Sequence, residues 1–145
     1  MRPAPRTLEQ RQADARERLA TEVDCWVSSA DEAGNAYLVP LSHYWTGERL
    51  VLATPRSSTT ARNLLRAGRA RIGVGPTRDV VLIDGAVDDG VDDATADAHT
   101  AHTGFDARLE KDEYVYLVVT PTEIRAWREA NELPGRVVMS NGVWL

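Results

Sequence analysis

Short runs of β-forming residues, separated by turns carrying Gly, Pro or Asn, dominate the chain, and in three places the period shifts to that of a helix. The first helix is predicted from Leu8 to about Thr21. Thr7 stands where a cap belongs, Gln10 takes the capping-box position, and Leu8, Gln12, Ala15 and Leu19 line one side. Met1 to Arg6 holds two prolines and reads as a loose lead-in. Cys25 to Ser29 is the first strand, Asp31 to Asn35 a hairpin turn, and Tyr37 to Trp45 the second strand, whose Pro40 points to an edge or a bulge. Arg49 to Thr54 follows the turn Thr46-Gly47-Glu48. Ala61, Leu64 and Leu65 then recur at helical spacing within Ser57 to Ala67, and Gly68 is a natural stop.

Strands resume over Ala70 to Val74 and Val80 to Val87, with a break at Gly75-Pro76. Asp88 to His102 reads as a solvated connection followed by a short helix from about Asp92. Tyr114 to Val119 is apolar on both faces; Pro121 predicts a bend, and Thr122 to Arg128 a further strand. Val137 to Met139 and Val143 to Leu145 flank the turn signal Asn141-Gly142. The pattern amounts to about seven strands. Consecutive short strands with close turns favour an antiparallel barrel or sandwich over a parallel sheet.

A length of 145 residues fits one domain. Residues 1–22 are read as a helix bracing the barrel and 23–145 as the barrel itself. The net charge of −5 argues against nucleic acid, whose binders carry a basic surplus or stripe. One cysteine, Cys25, excludes an internal disulfide and fits a reducing compartment. No apolar stretch reaches the length of a membrane span, and Leu8 to Glu22 is charged where a signal peptide needs an apolar core. The expectation is a cytoplasmic protein with no membrane partner.

The stretch Leu50 to Leu64 carries the chemistry. A strand runs out at Thr54-Pro55-Arg56, and four hydroxyl residues, Ser57, Ser58, Thr59 and Thr60, lead into a helix that carries Arg62. The first turn of a helix leaves N–H groups without partners, and its dipole favours an anion there. Hydroxyls, free N–H groups and two guanidiniums together suit a phosphate. The same residues also serve as ordinary helix caps and surface arginines.

Thr54 to Leu64, followed by Gly68-Arg69-Ala70-Arg71-Ile72, resembles the pyridoxamine 5'-phosphate oxidase-like family of flavin- and deazaflavin-dependent split β-barrels. The hairpin Asn35 to Ser42 ahead of Gly47 to Leu50, the segment Asp79 to Gly85, and the closing Trp127 and Arg136 to Trp144 follow the family's order. The resemblance covers about Val23 to Leu145, and Arg62-Asn63-Leu64 is its sharpest element. It implies a mainly β (α+β) antiparallel split β-barrel of the FMN-binding kind with short helices. It implies a homodimer that binds FMN, or the deazaflavin coenzyme F-420, at the interface.

On that resemblance the phosphate lies against Arg56, Ser57, Ser58, Thr59, Thr60 and Arg62. The ring runs along Val39, Pro40, Leu41, Ser42, Leu52 and Thr54, and the second protomer closes the site through Arg78, Asp79 and Trp144. Asn63 is expected to brace the helix. Many cofactor-binding members carry lysine two residues before the Arg-Asn-Leu triplet, and here that residue is Thr60, one charge fewer. The implied activity is oxidation or reduction of a small molecule, with the ring carrying the hydride. The alternatives are a flavin or haem carrier without turnover, and a barrel that has lost its cofactor.

Other constellations carry less. His99 and His102, three apart, with Asp97, Asp106 and Glu110 near in sequence, are read as a polar helix face and not as a metal site. His43 is a candidate substrate contact, weighed against a structural hydrogen bond. Cys25 reads as an inert buried thiol, and no Gly-x-Ser-x-Gly elbow is present. Asp88 to Asp93 lacks the spacing and closing glutamate of a calcium loop. Trp26, Trp45, Trp127 and Trp144 are assigned to core or dimer interface, with Trp144 as a candidate ligand wall.

Overall fold

The computed structural model describes residues 2–145. Eight antiparallel strands form one sheet: β1 (Asp24–Ala30), β2 (Ala36–Trp45), β3 (Leu50–Pro55), β4 (Arg69–Val74), β5 (Val80–Asp89), β6 (Tyr114–Trp127), β7 (Val137–Ser140) and β8 (Val143–Trp144). Their order is β3-β2-β1-β4-β5-β6-β7-β8, and β3 also pairs with β6. That pairing closes six strands into a barrel and leaves β7 and β8 as a flap on β6. Alternation sends one side chain of each pair inward. Val27, Leu50, Leu52, Ile72, Ile83, Leu117 and Ile124 meet in the core with no exposure, whereas Trp26 lies outside and is 53% exposed. Trp45 is in the core as expected. Among the described residues, no helix is long and apolar enough to cross a membrane.

The expected bend at Pro121 does not occur: β6 runs unbroken from Tyr114 to Trp127. Proline within a strand requires a place where no ladder N–H is needed. A bulge in β6 supplies it: consecutive Asp84 and Gly85 of β5 lie opposite Glu123 and Pro121, so Thr122 is the extra residue and Gly85 faces the proline. A Cβ on Gly85 would stand 2.6 Å from the Thr120 carbonyl oxygen, so the close approach admits only glycine. Thr122 Oγ1 donates to the Asp84 carbonyl at 3.0 Å across the same bulge.

Three helices complete the fold: α1 (Leu8–Thr21), α2 (Thr59–Ala67) and α3 (Asp93–Thr103). Thr7 caps α1 as predicted, accepting from the Gln10 N–H. The buried face differs from the expectation. Leu8 is exposed, and the buried positions are Arg11, Ala15 and Leu19. Arg11 is tolerated there because carbonyls receive it: its guanidinium donates to Glu132 O at 2.8 Å, Ala126 O at 3.3 Å and Pro134 O at 3.3 Å.

The segment before α1 is not a loose lead-in, although Met1 lies outside the described residues. Pro3 O accepts from Asn131 Nδ2 at 2.9 Å. Arg6 is clamped to Glu132 by three bonds of 2.8 to 2.9 Å, from its backbone N–H, Nε and NH2. α3 begins at Asp92, its cap, as expected, but His99 is buried against Tyr116 and not on a polar face.

Glu132 is buried, and its hydrogen bonds from Arg6, opposed in part by burial, lower its carboxyl to about 2 from an ordinary 4.5. A depressed carboxylate stabilises the fold fully above its unfolded value, and that contribution is lost as pH falls through the folded one. Glu132→Gln is therefore expected to cost about 3 kcal/mol at pH 7. The difference from wild type should shrink between pH 4.5 and 2, as read by denaturant melts. An undiminished difference at pH 2 would exclude the ion pair as its source.

Candidate functional site

β3 leaves the barrel at Pro55, and α2 begins four residues later. Ser58 is the N-cap: its Oγ accepts from the Ala61 N–H at 3.1 Å and lies 3.3 Å from Thr54 Oγ1. The helical ladder starts with the Arg62 N–H on Ser58 O at 3.1 Å. The N–H groups of Thr59 and Thr60 have no partner among the described residues. α2 contains no acidic residue, so none of its own side chains offsets the positive end of its dipole. Asn63 Nδ2 donates to Ser29 Oγ at 3.1 Å, and Arg66 to Ala30 O at 2.7 Å, which pins α2 to β1. Asn63 thus braces the helix, as the sequence led us to expect.

The residues expected around the phosphate divide by exposure. Arg56, Ser57 and Arg62 are exposed, Ser58 and Thr59 are half-buried, and Thr60 is buried. The two arginines differ in commitment. Arg62 has no acidic partner among the described residues. Arg56 donates Nε to Glu113 at 3.1 Å and has Asp89 at 3.9 Å. Asp89 ends β5 and Glu113 immediately precedes β6, so Arg56 ties together the two ends of the excursion that carries α3. Sequence reading missed both carboxylates. Nothing local marks them, because only the β3–β6 pairing brings them to Arg56.

The residues expected along the ring fall on two faces. Pro40 is exposed and Ser42 half-buried on the outward side of β2, where Ser42 Oγ donates to Asp24 at 2.9 Å. Val39 and Leu41 pack against the core, and Leu52 and Thr54 are buried. Strand alternation separates these sets, and a list drawn along the chain had merged them. His43, the candidate substrate contact, has no exposure, and its Nε2 lies 3.1 Å from Leu19 O. Its role is the structural hydrogen bond.

Beside Pro40 the outward face carries Trp26 and Leu38, the latter 60% exposed. A cleft of about 440 Å³ lies there, lined in part by Glu22, Asp24, Trp26, Pro40 and Gly73. Cys25 also borders it, but burial, with a smaller effect from Asp24, pushes that thiol up to about 12, which keeps it protonated and unreactive. The three residues expected from a second protomer have partners within their own chain. Arg78 meets Glu129 at 3.0 Å, Asp79 meets Arg18 at 2.6 Å and Arg128 at 3.2 Å, and the Arg16 guanidinium sits 4.2 Å above the Trp144 ring.

No family model and no curated protein matches the sequence. Solved structures do match the fold. An F420 reductase shares 18% identity over 75% of this chain and 94% of its own, with a TM-score of 0.63. A protein from Clostridium acetobutylicum, related to general stress protein 26 and of the pyridoxinephosphate oxidase family, shares 16% over 84% and 88%, with a TM-score of 0.62. A heme binding protein from Mycobacterium smegmatis shares 19% over 98% of this chain and 60% of its own, with a TM-score of 0.68. Identities this low speak for backbone architecture alone, and that architecture is the split β-barrel fold these solved structures share with the chain.

Proposed function

We propose that the chain binds a flavin-type coenzyme, FMN or the deazaflavin F-420, with its phosphate at the N-terminus of α2 and its ring on the outward face of β2. The observation that carries this reading is the pair of unpartnered N–H groups at Thr59 and Thr60, beside the uncommitted Arg62, on a helix without acid. Arg62 lies close behind the first turn, where a cation is opposed by the helix dipole unless an anion is bound. Ser57 and Thr59 supply hydroxyls, and Pro40 and Ser42 a surface for the ring. The neighbours in fold include an F420 reductase, which supports a coenzyme of this class.

A second copy of the chain covers Trp26, Leu38 and Pro40 and closes the site in this reading. These side chains form an apolar face directly beside the ring surface, and closure would exclude water from it. The coenzyme supplies hydride transfer when bound, which makes the protein an oxidoreductase acting on a small molecule. Its own residues orient the ring and need supply no dedicated acid or base. Haem is the poorer occupant. It takes axial ligands such as histidine, cysteine or methionine. Here His43, His99, Cys25 and Met139 are buried, and His102 Nε2 is engaged with Glu22 O at 2.9 Å.

Fluorescence titration with FMN and with F-420 tests the assignment. Arg62→Ala should weaken the better ligand about 10- to 100-fold, the loss of one charge-assisted hydrogen bond. Unchanged affinity would remove the phosphate from this corner. Glu113→Gln should strengthen binding about two- to fivefold by releasing Arg56, and this gain should fade in high salt. Sedimentation should find a dimer that Trp26→Asp converts to monomer with loss of coenzyme affinity; a variant that stays dimeric places the interface elsewhere.

A further inference from the structure

The chain has three histidines, and they cluster where α3 and the end of α1 meet the barrel. His43 belongs to β2; His99 and His102 belong to α3. The His43 and His102 rings are 6.3 Å apart, His102 is 6.0 Å from the Tyr44 ring, and His99 meets Tyr116 of β6 edge-on at 5.6 Å. His43 and His99 are at most 1% exposed. His43 Nε2 faces Leu19 O, and His102 Nε2 faces Glu22 O. A carbonyl only accepts, so in both rings Nε2 carries a proton, and in the neutral His43 ring Nδ1 is left with its lone pair.

No hydrogen bond reaches His43 Nδ1, either nitrogen of His99, or the Tyr116 hydroxyl. These are four of the five buried side-chain polar atoms without a partner among the described residues. Such a concentration is a costly arrangement, and it sits under the helix least able to hold itself down. α3 reads Asp-Ala-Thr-Ala-Asp-Ala-His-Thr-Ala-His-Thr and buries only Ala96 and His99. Its first turn is undercut by a cleft of about 380 Å³, lined in part by Val51, Asp92, Thr95 and Val118. What holds α3 is buried Ala96, the His99 ring against Tyr116, the bond from His102 to Glu22 O and, just past its end, Phe105 beside the Tyr114 ring at 5.5 Å. The barrel closes without it.

We propose that α3 is a pH-released latch, docked while the imidazoles of His43 and His99 are neutral and freed when they take up protons. The groups facing these rings come from every neighbouring element. His43 faces Glu22, Asp24 and His102; His99 faces His43, His102 and Asp106; Tyr116 faces Asp97, Asp106 and Arg108. Arg108 is itself paired with Asp97 at 2.8 Å and Asp106 at 2.9 Å. The carboxylates do not offset the loss of water. Burial first, and the neighbouring imidazole after it, holds both rings below their ordinary value near 6.5. A released α3 lets water reach them and restores ordinary basicity. The released form therefore binds more protons than the docked form, and docking weakens as pH falls below about 6.5.

Hydrogen exchange read by mass spectrometry at pH 7.5 and 5.0, corrected for intrinsic rates, tests this on the whole chain. Amides of residues 93–103 should exchange at least tenfold faster at pH 5.0, with β4 and β5 unchanged. Equal protection of α3 at both values, or loss that spreads through the barrel at once, overturns the proposal. His99→Leu keeps the packing and removes one titrating ring, so the acid response of α3 should fall at least threefold; a wild-type response in that variant also overturns it. If the variant does not fold, NMR titration of the three imidazoles in the wild-type chain decides. Titration of His43 and His99 must then coincide with loss of α3 protection, and titration with α3 still protected refutes the latch.

Discussion

The pairing of β3 with β6 is the constraint from which the rest of the structure follows. Without it the eight strands would be an open sheet with β3 as an unpaired edge. With it, Leu50 lies opposite Val119, Leu52 opposite Leu117, and Pro55 opposite Tyr114, and six strands enclose one core. Closure satisfies the edge groups of β3. It also fixes where β3 must end. The chain leaves the barrel at Pro55 and has to turn at once, so the N-terminus of α2 appears at one corner with its first-turn N–H groups facing out.

The same pairing brings the residues around that corner into one electrostatic setting. Arg56 stands at the end of β3, and Glu113 stands at the start of β6 because those strands are neighbours. Asp89 arrives from the end of β5 for the same reason. The positive end of α2 is thus flanked by one arginine already paired with carboxylates and by Arg62, which is not. Thr60 contributes no charge and is buried. In the proposed reading, the corner's pull on a phosphate rests on a helix terminus and essentially one guanidinium. That makes it sensitive to the state of the excursion whose two ends Arg56 holds.

At the opposite side, α1 is joined to the barrel by charge as much as by apolar contact. Ala15 and Leu19 enter the core, while Arg6 and Arg11 reach Glu132 and the carbonyls around it. α3 stands at the other extreme, with two imidazoles where α1 has ion pairs. Both helices cover barrel surface, but they answer acid differently. Glu132 is held below the ordinary carboxylate range by Arg6, whereas burial holds the His99 imidazole below its ordinary value.

Much of this was legible along the chain. Alternation located the strands, Thr7 and Asp92 marked helix starts, Gly68 marked a stop, and the hydroxyl run after β3 marked the start of α2, because each of these signals is local. Asn63 as a brace also followed from its motif. The misplacements share one physical cause. Whether His43 or His99 is wet or dry, whether Leu52 looks into the core, and whether Arg11 is buried depend on which distant segment lies against them. Pro121 predicts a bend because proline cannot complete a ladder, and only the bulge at Thr122 in β6 lets the strand run on past it. The sequence by itself determined the elements and the chemical types available. The tertiary structure alone decided which of them are partnered, since burial and ion pairing are properties of neighbours brought together by barrel closure and not of neighbours in sequence.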